Sequence, residues 1–215
     1  INFMGCYAAI HAMKIANAYC NADPSANVLI VCTELCTLHF QNELTVDNMT
    51  SSMLFADGAA AVLMTGTKNA YGLQVDNFYS SISTKGLKEM AWELSSKGFL
   101  MTLSGYVADL IEEDFAELVN NALSAASINK SAITHWCIHP GGKRILQSVH
   151  KSLQFTNGQL DNCYHVLRNY GNMSSPTVLF VLKEIMQQLN DAEPVKIFGA
   201  AFGPGLTMET FILST

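Results

Sequence analysis

The sequence predicts an α/β fold in which a sheet is covered by helices on both faces. Apolar segments of strand length alternate with segments of helical periodicity along the 215 residues. The predicted strands are continuous apolar runs, which is typical of strands buried on both sides. No linker-like or low-complexity stretch divides the chain. We therefore expect a layered α/β architecture.

The first elements follow from composition and from cap signals. Residues 7–20, rich in Ala, Ile and Met with little charge, predict a helix buried on most sides. The apolar run 27–34 predicts a short buried strand. Asp47 is a candidate cap for a short helix that leads to Phe55. The further extended segments are a second buried strand at 58–66, then 71–83 and 98–103.

The following elements include the one clearly amphipathic helix of the prediction. Residues 107–126 place apolar side chains at helical spacing, with Glu112, Glu113 and Asp114 turned outward. Pro176 falls in the first turn of its predicted helix, where proline is tolerated. The other predicted elements are a strand at 134–139, helices near 143–154, 160–168 and 174–190, and closing strands at 195–202 and 206–213.

Composition restricts the classes of partner. The chain is 49% hydrophobic and only 14% charged, against roughly 25% charged in a typical soluble domain. Part of the apolar surface is therefore expected to face another subunit, which favours a homodimer, or a missing segment. The net charge is −6 and the 12 basic residues are scattered, so nucleic acid is not expected as a partner.

Apolar run lengths and cysteine spacing indicate the compartment. The longest apolar runs, Val28–Cys32 and Ala59–Met64, are far shorter than the roughly 18 residues that suggest a membrane span. We expect no membrane insertion. The six cysteines form no CxxC pair, and a chain this apolar does not need disulfides, so a reducing cytoplasm is expected. The chain opens at Ile1, which suggests a fragment.

Three short segments combine glycines with a reactive side chain where a strand or loop meets a helix. A thiol at a helix start, such as that of Cys6, is expected to have a lowered pKa and to act as nucleophile. A histidine can stabilise the thiolate as an ion pair and, with an asparagine amide, donate hydrogen bonds to an oxyanion. The segments are Gly5-Cys6-Tyr7, His139-Pro140-Gly141-Gly142 and Tyr170-Gly171-Asn172-Met173-Ser174-Ser175.

Structural interpretations stand beside these functional ones. A buried cysteine or a lone histidine is more often structural than catalytic. The spacing of Cys32, Cys36 and His39 could suggest zinc, but a structural site needs four ligands and no fourth is near, so no metal is expected. Gly203 and Gly205 could suggest a phosphate loop, yet no Lys-Ser/Thr follows them, which favours a tight turn.

Taken together, four segments resemble the signatures of chalcone-synthase-like type III polyketide synthases, a family of the thiolase superfamily. The resemblance covers the whole chain and is microbial rather than plant in type. It implies a thiolase-like layered αβαβα fold that lacks the family's N-terminal part. Residues 1–85 would end the N-terminal half and carry the nucleophile, and 86–215 would form the C-terminal half. The segments are Gly5-Cys6, His139 to Gly142, Tyr170 to Ser175 and Phe202 to Thr207.

The resemblance also implies residue roles. Cys6 would carry the acyl chain, His139 and Asn172 would bind the thioester carbonyl and stabilise an enolate, and Phe55 would separate the CoA tunnel from the cavity. Met101 stands where plant chalcone synthases have a second gatekeeper aromatic, which leaves the product open. The further candidate substrate-binding residues are Cys36, His39, Ser174, Gly203, Pro204 and Gly205.

The implied activity is acyl transfer from a starter acyl-CoA to Cys6, then decarboxylative condensation with malonyl-CoA and cyclisation to a pyrone, resorcinol or phloroglucinol-type product. CoA thioesters are the expected substrates, without a further cofactor. One alternative is a 3-oxoacyl-carrier-protein synthase III, whose histidine is typically followed by Gln-Ala-Asn; here Pro140-Gly141-Gly142 follows. A second is a non-catalytic thiolase-fold remnant that serves as a dimerisation module, against which the intact triad argues.

Overall fold

The computed structural model confirms the α/β class. Helices and strands alternate along the chain, with short 3-10 turns between several of them. The helices are α1 (Ala8–Ala22), α2 (Val46–Leu54), α3 (Val107–Ala125), α4 (Lys143–Ser152), α5 (Asp161–Tyr170) and α6 (Pro176–Gln188). The strands are β1 (Asn27–Glu34), β2 (Gly58–Thr65), β3 (Gln74–Ile82), β4 (Met90–Ser95), β5 (Gly98–Leu103), β6 (His135–Ile138), β7 (Lys196–Gly203) and β8 (Thr207–Ser214). The structure describes residues 1–40, 42–43, 45–67, 72–96, 98–156, 158–190 and 193–215.

Most predicted elements are confirmed to within a few residues. β1 has the predicted bounds, and Pro176 occupies the first turn of α6. The cap prediction was wrong: the Thr45 side chain accepts the Asn48 N–H at 3.1 Å, and Asp47 lies inside α2. Thr45 is the residue with extended backbone before the first turn, which is where a cap must stand. β4 was not predicted, and residue 71 of the predicted segment 71–83 lies outside the described residues.

The central sheet has the strand order β3-β8-β7-β6, with β6 parallel to β7 and the other pairs antiparallel. In β7 and β8 nearly every side chain is buried. Because successive side chains of a strand point to opposite faces, both faces of these strands are covered. α1 and α6 contact each other and the sheet, while α3 contacts β3 and packs along α4. The predicted sheet with two covered faces is thus confirmed for these strands.

β1 and β2 form a separate antiparallel pair, and the prediction that they are buried strands was wrong on one face. Ile30 and Cys32 point inward and are buried. Leu29, Val31 and Leu63 lie between 62% and 64% exposed on the other face. An apolar run shows that a strand can be buried, but it cannot show whether a second layer covers it. α1 and α6 both pack on this pair.

Glu209 ties α1 to the central sheet. Its side chain is 3% exposed, and it accepts hydrogen bonds from His11 Nε2 at 2.9 Å and from Ser80 Oγ at 2.8 Å. Lys14 forms an ion pair with the same carboxylate. A carboxylate withdrawn from water is tolerated when it is paired in this way. Because His11 and Lys14 both lie on α1, Glu209 fixes the helix that directly follows Cys6.

Candidate active site

The predicted catalytic residues lie around one cavity of about 990 Å³. Cys6 comes from the 3-10 turn Gly5–Tyr7 that leads into α1, and His139 follows the end of β6. Asn172 belongs to the loop between α5 and α6, and Phe55 follows the end of α2. Residues from four separate parts of the sequence therefore line a single space.

The nucleophile turn is packed directly on the Gly203–Leu206 loop. Gly5 has φ +63°, and a Cβ built on it would lie 2.9 Å from Pro204 Cδ. A Cβ on Gly203 would lie 2.4 Å from Tyr7 Cδ1. Glycine is required where a Cβ would meet atoms of the neighbouring segment this closely. Gly205, with φ +75°, turns the chain into β8, as the predicted tight turn requires.

The pKa of the Cys6 thiol is raised, although the sequence predicted that it is lowered. Burial raises its pKa to about 11; a nearby Glu34 carboxylate adds to the rise, and a hydrogen bond with Ser174 opposes it. The start of α1 was expected to lower this pKa, but loss of water around a thiolate is the larger effect here. The thiol is therefore protonated at neutral pH in the resting site.

His139 is buried and neutral. It is 1% exposed, and within the described chain neither ring nitrogen has a hydrogen-bond partner. Burial lowers its pKa to about 3. The expected thiolate–imidazolium pair is thus replaced by a neutral thiol and a neutral imidazole. A neutral ring keeps one nitrogen as a proton acceptor and one as a donor.

The buried His139 predicts acid sensitivity. The unfolded chain takes up a proton below its ordinary pKa of about 6.5, whereas the folded chain does so only near 3. The contribution of His139 to the free energy of unfolding is therefore complete above the pKa that this group has in the unfolded chain, and it is lost as the pH falls below that value. From pH 7 to pH 5 we expect this group to lower the free energy of unfolding by about 2 kcal/mol. Urea unfolding at the two pH values measures it.

The matched variants for this measurement are His139→Gln and His165→Gln. The first should remove about 2 kcal/mol of the pH dependence, because glutamine does not titrate. The second replaces a histidine whose side chain is 54% exposed and which does not line the cavity, so it controls for the loss of a histidine as such. An equal pH dependence in wild type and His139→Gln would contradict the assignment.

Asn172 is held from several directions. Its backbone N–H donates to Leu54 O at 3.1 Å, and its carbonyl accepts the Ala56 N–H at 2.9 Å. Its side-chain Oδ1 accepts the Ser174 N–H at 2.9 Å, and Cys6 Sγ lies 4.0 Å from the same oxygen. Nδ2 donates to Gly141 O at 3.2 Å, which fixes the amide orientation. Since an amide nitrogen has two N–H groups, one donor remains available for a ligand.

The other candidate residues are distributed as follows. Phe55 lines the cavity beside Asn172, with which it forms a β-bridge. Cys36, His39, Ser174 and Pro204 also line it, whereas Gly203 and Gly205 shape the loop under the nucleophile turn. The side chain of Met101 lies outside the described part of the chain, and its backbone belongs to β5. The functional roles of these residues stay predictions.

Sequence reasoning gave no role to three charged residues of the cavity wall. Glu34, at the end of β1, accepts a hydrogen bond from Ser175 Oγ at 2.6 Å. Burial raises the pKa of Cys6 to about 11 and the pKa of Cys36 to about 12, and the Glu34 carboxylate adds to both rises. Lys143 and Arg144 line the wall formed by the start of α4. In the sequence, Lys143 and Arg144 directly follow Gly142. Their place next to this glycine-containing segment was the signal that could have located them at the site.

The described residues offer neither a metal-binding cluster nor a membrane-spanning helix. No group of three or more His, Cys, Asp and Glu side chains is arranged to hold a metal ion in that part of the chain. Among the described helices, none combines the length and the apolar character that a bilayer span needs.

The layered fold and the cavity that joins a cysteine, a histidine and an asparagine define a protein of the thiolase-like class. The chain belongs to the chalcone and stilbene synthase family. Residues 80–215 match the family model described as "Chalcone and stilbene synthases, C-terminal domain". Residues 3–82 match "3-Oxoacyl-[acyl-carrier-protein (ACP)] synthase III", which reflects the shared thiolase-like fold. The division of the chain at residue 85 stays a prediction.

Similar proteins come from several microbes, as the resemblance implied. A "Putative chalcone synthase" of Bacillus subtilis is 30% identical over 219 residues, which are 98% of this chain and 60% of the relative. The structure of 1,3,6,8-tetrahydroxynaphthalene synthase from Streptomyces coelicolor superposes with a TM-score of 0.91 at 28% identity, covering 99% of this chain and 61% of that one. The C-terminal type III polyketide synthase domain of Steely1, a type I/III hybrid from Dictyostelium, superposes with a TM-score of 0.90 at 30% sequence identity. The match covers 99% of this chain and 60% of that one. The chain thus spans about three fifths of these proteins.

Proposed function

We propose that the protein is a type III polyketide synthase that loads an acyl group from acyl-CoA onto Cys6 and extends it with malonyl-CoA. The observation that carries the proposal is the meeting of Cys6, His139 and Asn172 in one cavity. Family membership supports it, because the related structure from Streptomyces is described as a type III polyketide synthase. No cofactor besides the CoA thioesters is needed for this chemistry.

The loading step uses the neutral thiol and the neutral imidazole. Cys6 Sγ attacks the thioester carbonyl while a ring nitrogen of His139 accepts the thiol proton. The tetrahedral oxyanion forms next to the Asn172 amide, and the thiolate of CoA then leaves and takes the proton from His139. Covalent loading divides one difficult condensation into two easier steps. Among the described residues neither ring nitrogen of His139 has a hydrogen-bond partner, which leaves the ring available for this proton.

The extension step needs donors for an enolate. When malonyl-CoA loses CO₂, the electron pair of the broken C–C bond moves to the thioester oxygen. The Asn172 amide and the N–H of neutral His139 would donate to that oxygen. Each such preorganised donor contributes about 3–4 kcal/mol to the transition state in comparable sites. The enolate carbon then attacks the Cys6 thioester, and Cys6 departs as a thiolate, which takes up a proton from water.

The cavity wall supports repeated extension inside one enclosed space. Phe55 would present an apolar ring toward the malonyl carboxylate, where loss of charge as CO₂ is favoured. Cys36, His39 and Met101 would limit the length of the growing chain, and a pyrone, resorcinol or phloroglucinol-type product would follow from its shape. A homodimer is proposed, supported by the exposed apolar face of β1 and β2. A cytoplasmic location is also proposed, supported by the six free cysteines.

Two other functions are compared in one experiment. The protein is incubated with a starter acyl-CoA and either malonyl-CoA or malonyl-carrier protein, and the products are identified by mass spectrometry. We expect multiply extended products from malonyl-CoA. A single condensation, from the carrier protein only, would instead indicate a 3-oxoacyl-carrier-protein synthase. Absence of acylation and of product with both donors would indicate a non-catalytic dimerisation module.

A further inference from the structure

The segment that carries Cys6 has no local fastening at its start. Among the described residues, no side chain caps the 3-10 turn Gly5–Tyr7 or the first turn of α1. A capping hydrogen bond is the usual local means of fixing the beginning of a helix. The direction in which the Cys6 side chain points therefore depends on contacts between this segment and the rest of the fold.

The contacts come from one face of α1. Tyr7, His11 and Lys14 share this face, because side chains three or four positions apart in a helix point to the same side. The Tyr7 ring is buried against Gly203, and its centroid lies 5.1 Å from that of the His11 ring. The cavity wall, as far as the described residues form it, contains none of the three side chains. Any effect they have on the reaction must therefore act through Cys6.

Glu209 binds this face from inside the central sheet. It lies on β8 opposite Ser80 of β3, and it is buried. Its Oε1 accepts a hydrogen bond from His11 Nε2 at 2.9 Å, while its Oε2 accepts one from Ser80 Oγ at 2.8 Å and pairs with Lys14. Hydrogen bonds to an ionised acceptor are stronger than those between neutral groups. The two carboxylate oxygens thus hold two successive turns of α1.

β7 and β8 contact the nucleophile segment at two separate places. The loop between these strands packs on Gly5 through Pro204, and Glu209 is the third residue of β8. Two separated contacts prevent the segment from rotating about either one. If the second contact were weakened, Cys6 Sγ would move from its place 4.0 Å from Asn172 Oδ1. A displacement of about 1 Å at a reacting group can lower a rate by about 10²-fold.

We propose that His11 is a positioning residue whose hydrogen bond to Glu209 and contact with Tyr7 set the rotation of α1 that directs Cys6 Sγ toward Asn172. The inference rests on the proposed function and deepens it, since it names a residue outside the cavity on which acyl loading depends. Lys14 still pairs with Glu209 when His11 is replaced. The carboxylate therefore keeps a partner, and the fold should persist.

The test compares His11→Leu with His11→Gln, and Ile15→Ala is the control. Leucine is close to histidine in size but donates no hydrogen bond, whereas glutamine keeps an N–H donor. Ile15 lies on the same helix, and its side chain is exposed. Loading by acyl-CoA is followed over a range of concentrations by intact-protein mass spectrometry.

We expect His11→Leu to lower the maximal loading rate by about tenfold or more. The acyl-CoA concentration that gives half of this rate should stay unchanged, because His11 does not line the cavity. His11→Gln should restore most of the rate, and Ile15→Ala should load like wild type. The rates are expressed per molecule that is loaded at the end of the reaction, which corrects for unfolded protein.

A merely structural role for His11 gives a different result. It would lower the unfolding temperature and leave the maximal rate per active molecule unchanged. That result overturns the proposal, as does a change in the half-saturating concentration alone or an equal loss of rate in His11→Leu and His11→Gln. If His11→Leu does not fold, His11→Asn takes its place, because its amide is too short to reach the carboxylate in the same way.

Alkylation of Cys6 by iodoacetamide separates this proposal from the proposed function, because it needs no thioester. Hydrogen bonds from Ser174 and Asn172 lower the pKa of the Cys6 thiol against the larger effect of burial. A displaced thiol loses them and forms less of the reactive thiolate. If acyl-CoA does not load wild type, the proposed function is wrong and alkylation decides. A rate in His11→Leu lower by about threefold or more then supports the positioning role, and an equal or faster rate overturns it.

Discussion

Cys6→Ala is expected to abolish the covalent loading of the protein by acyl-CoA. Wild type should gain the mass of one acyl group, and the variant should gain none, a loss of more than about 10³-fold in rate. Intact-protein mass spectrometry measures both. The reason is that Cys6 carries the sulfur beside the Asn172 amide. The substitution removes only that atom, so the cavity should persist.

Cys20→Ala provides the matched control. Cys20 lies buried at the far end of α1, and it does not line the cavity. This variant should load normally, and circular dichroism should show the same helix content for both variants. Loading that continues in Cys6→Ala, or that stops equally in Cys20→Ala, would sink the assignment of the nucleophile.

Asn172→Asp is expected to lower the decarboxylation of malonyl-CoA by about 10²- to 10³-fold. Aspartate has nearly the same shape but replaces the amide donor by an anionic oxygen. An anion near the enolate oxygen opposes the charge that forms there. The Ser174 N–H and the thiol of Cys6 would still meet an oxygen at this position. Release of CO₂ from labelled malonyl-CoA measures the rate.

Asn169→Asp is the control for this variant, because Asn169 is exposed on α5 and its Nδ2 donates to His165 O. It should release CO₂ at the wild-type rate. A wild-type rate in Asn172→Asp would remove the amide from the mechanism. A slow rate with unfolding at a much lower temperature would instead indicate a structural role for Asn172.

The order of helices and strands could be predicted because local pattern determines it. β1 and the start of α3 were located from apolar run length and helical spacing alone. The exposed faces of Leu29 and Leu63 could not be predicted, since a covering layer is a long-range property. β4 was missed because its sequence, Met-Ala-Trp-Glu-Leu-Ser, shows neither strict alternation nor a continuous apolar run.

The members of the site could be predicted better than their charge states. Cys6, His139 and Asn172 each stand next to glycine-containing motifs that mark tight backbone. Their pKa values depend on how much water the assembled cavity excludes, and burial outweighed the helix dipole at Cys6. The position of Glu34 opposite the thiols depends on the packing of β1 against Ser175, which no local pattern reports.

The contacts of Glu209 with His11 and Lys14 affect the order in which the chain folds during synthesis. His11 and Glu209 are 198 positions apart, so α1 leaves the ribosome long before its anchor exists. Contacts of such separation form late because a long loop must close first. Cys6 therefore stays without the oxygen of Asn172, 166 positions away, until that later segment has been made. The hydrogen-bonded surroundings of Cys6 are thus assembled only after this later segment has folded against the start of α1.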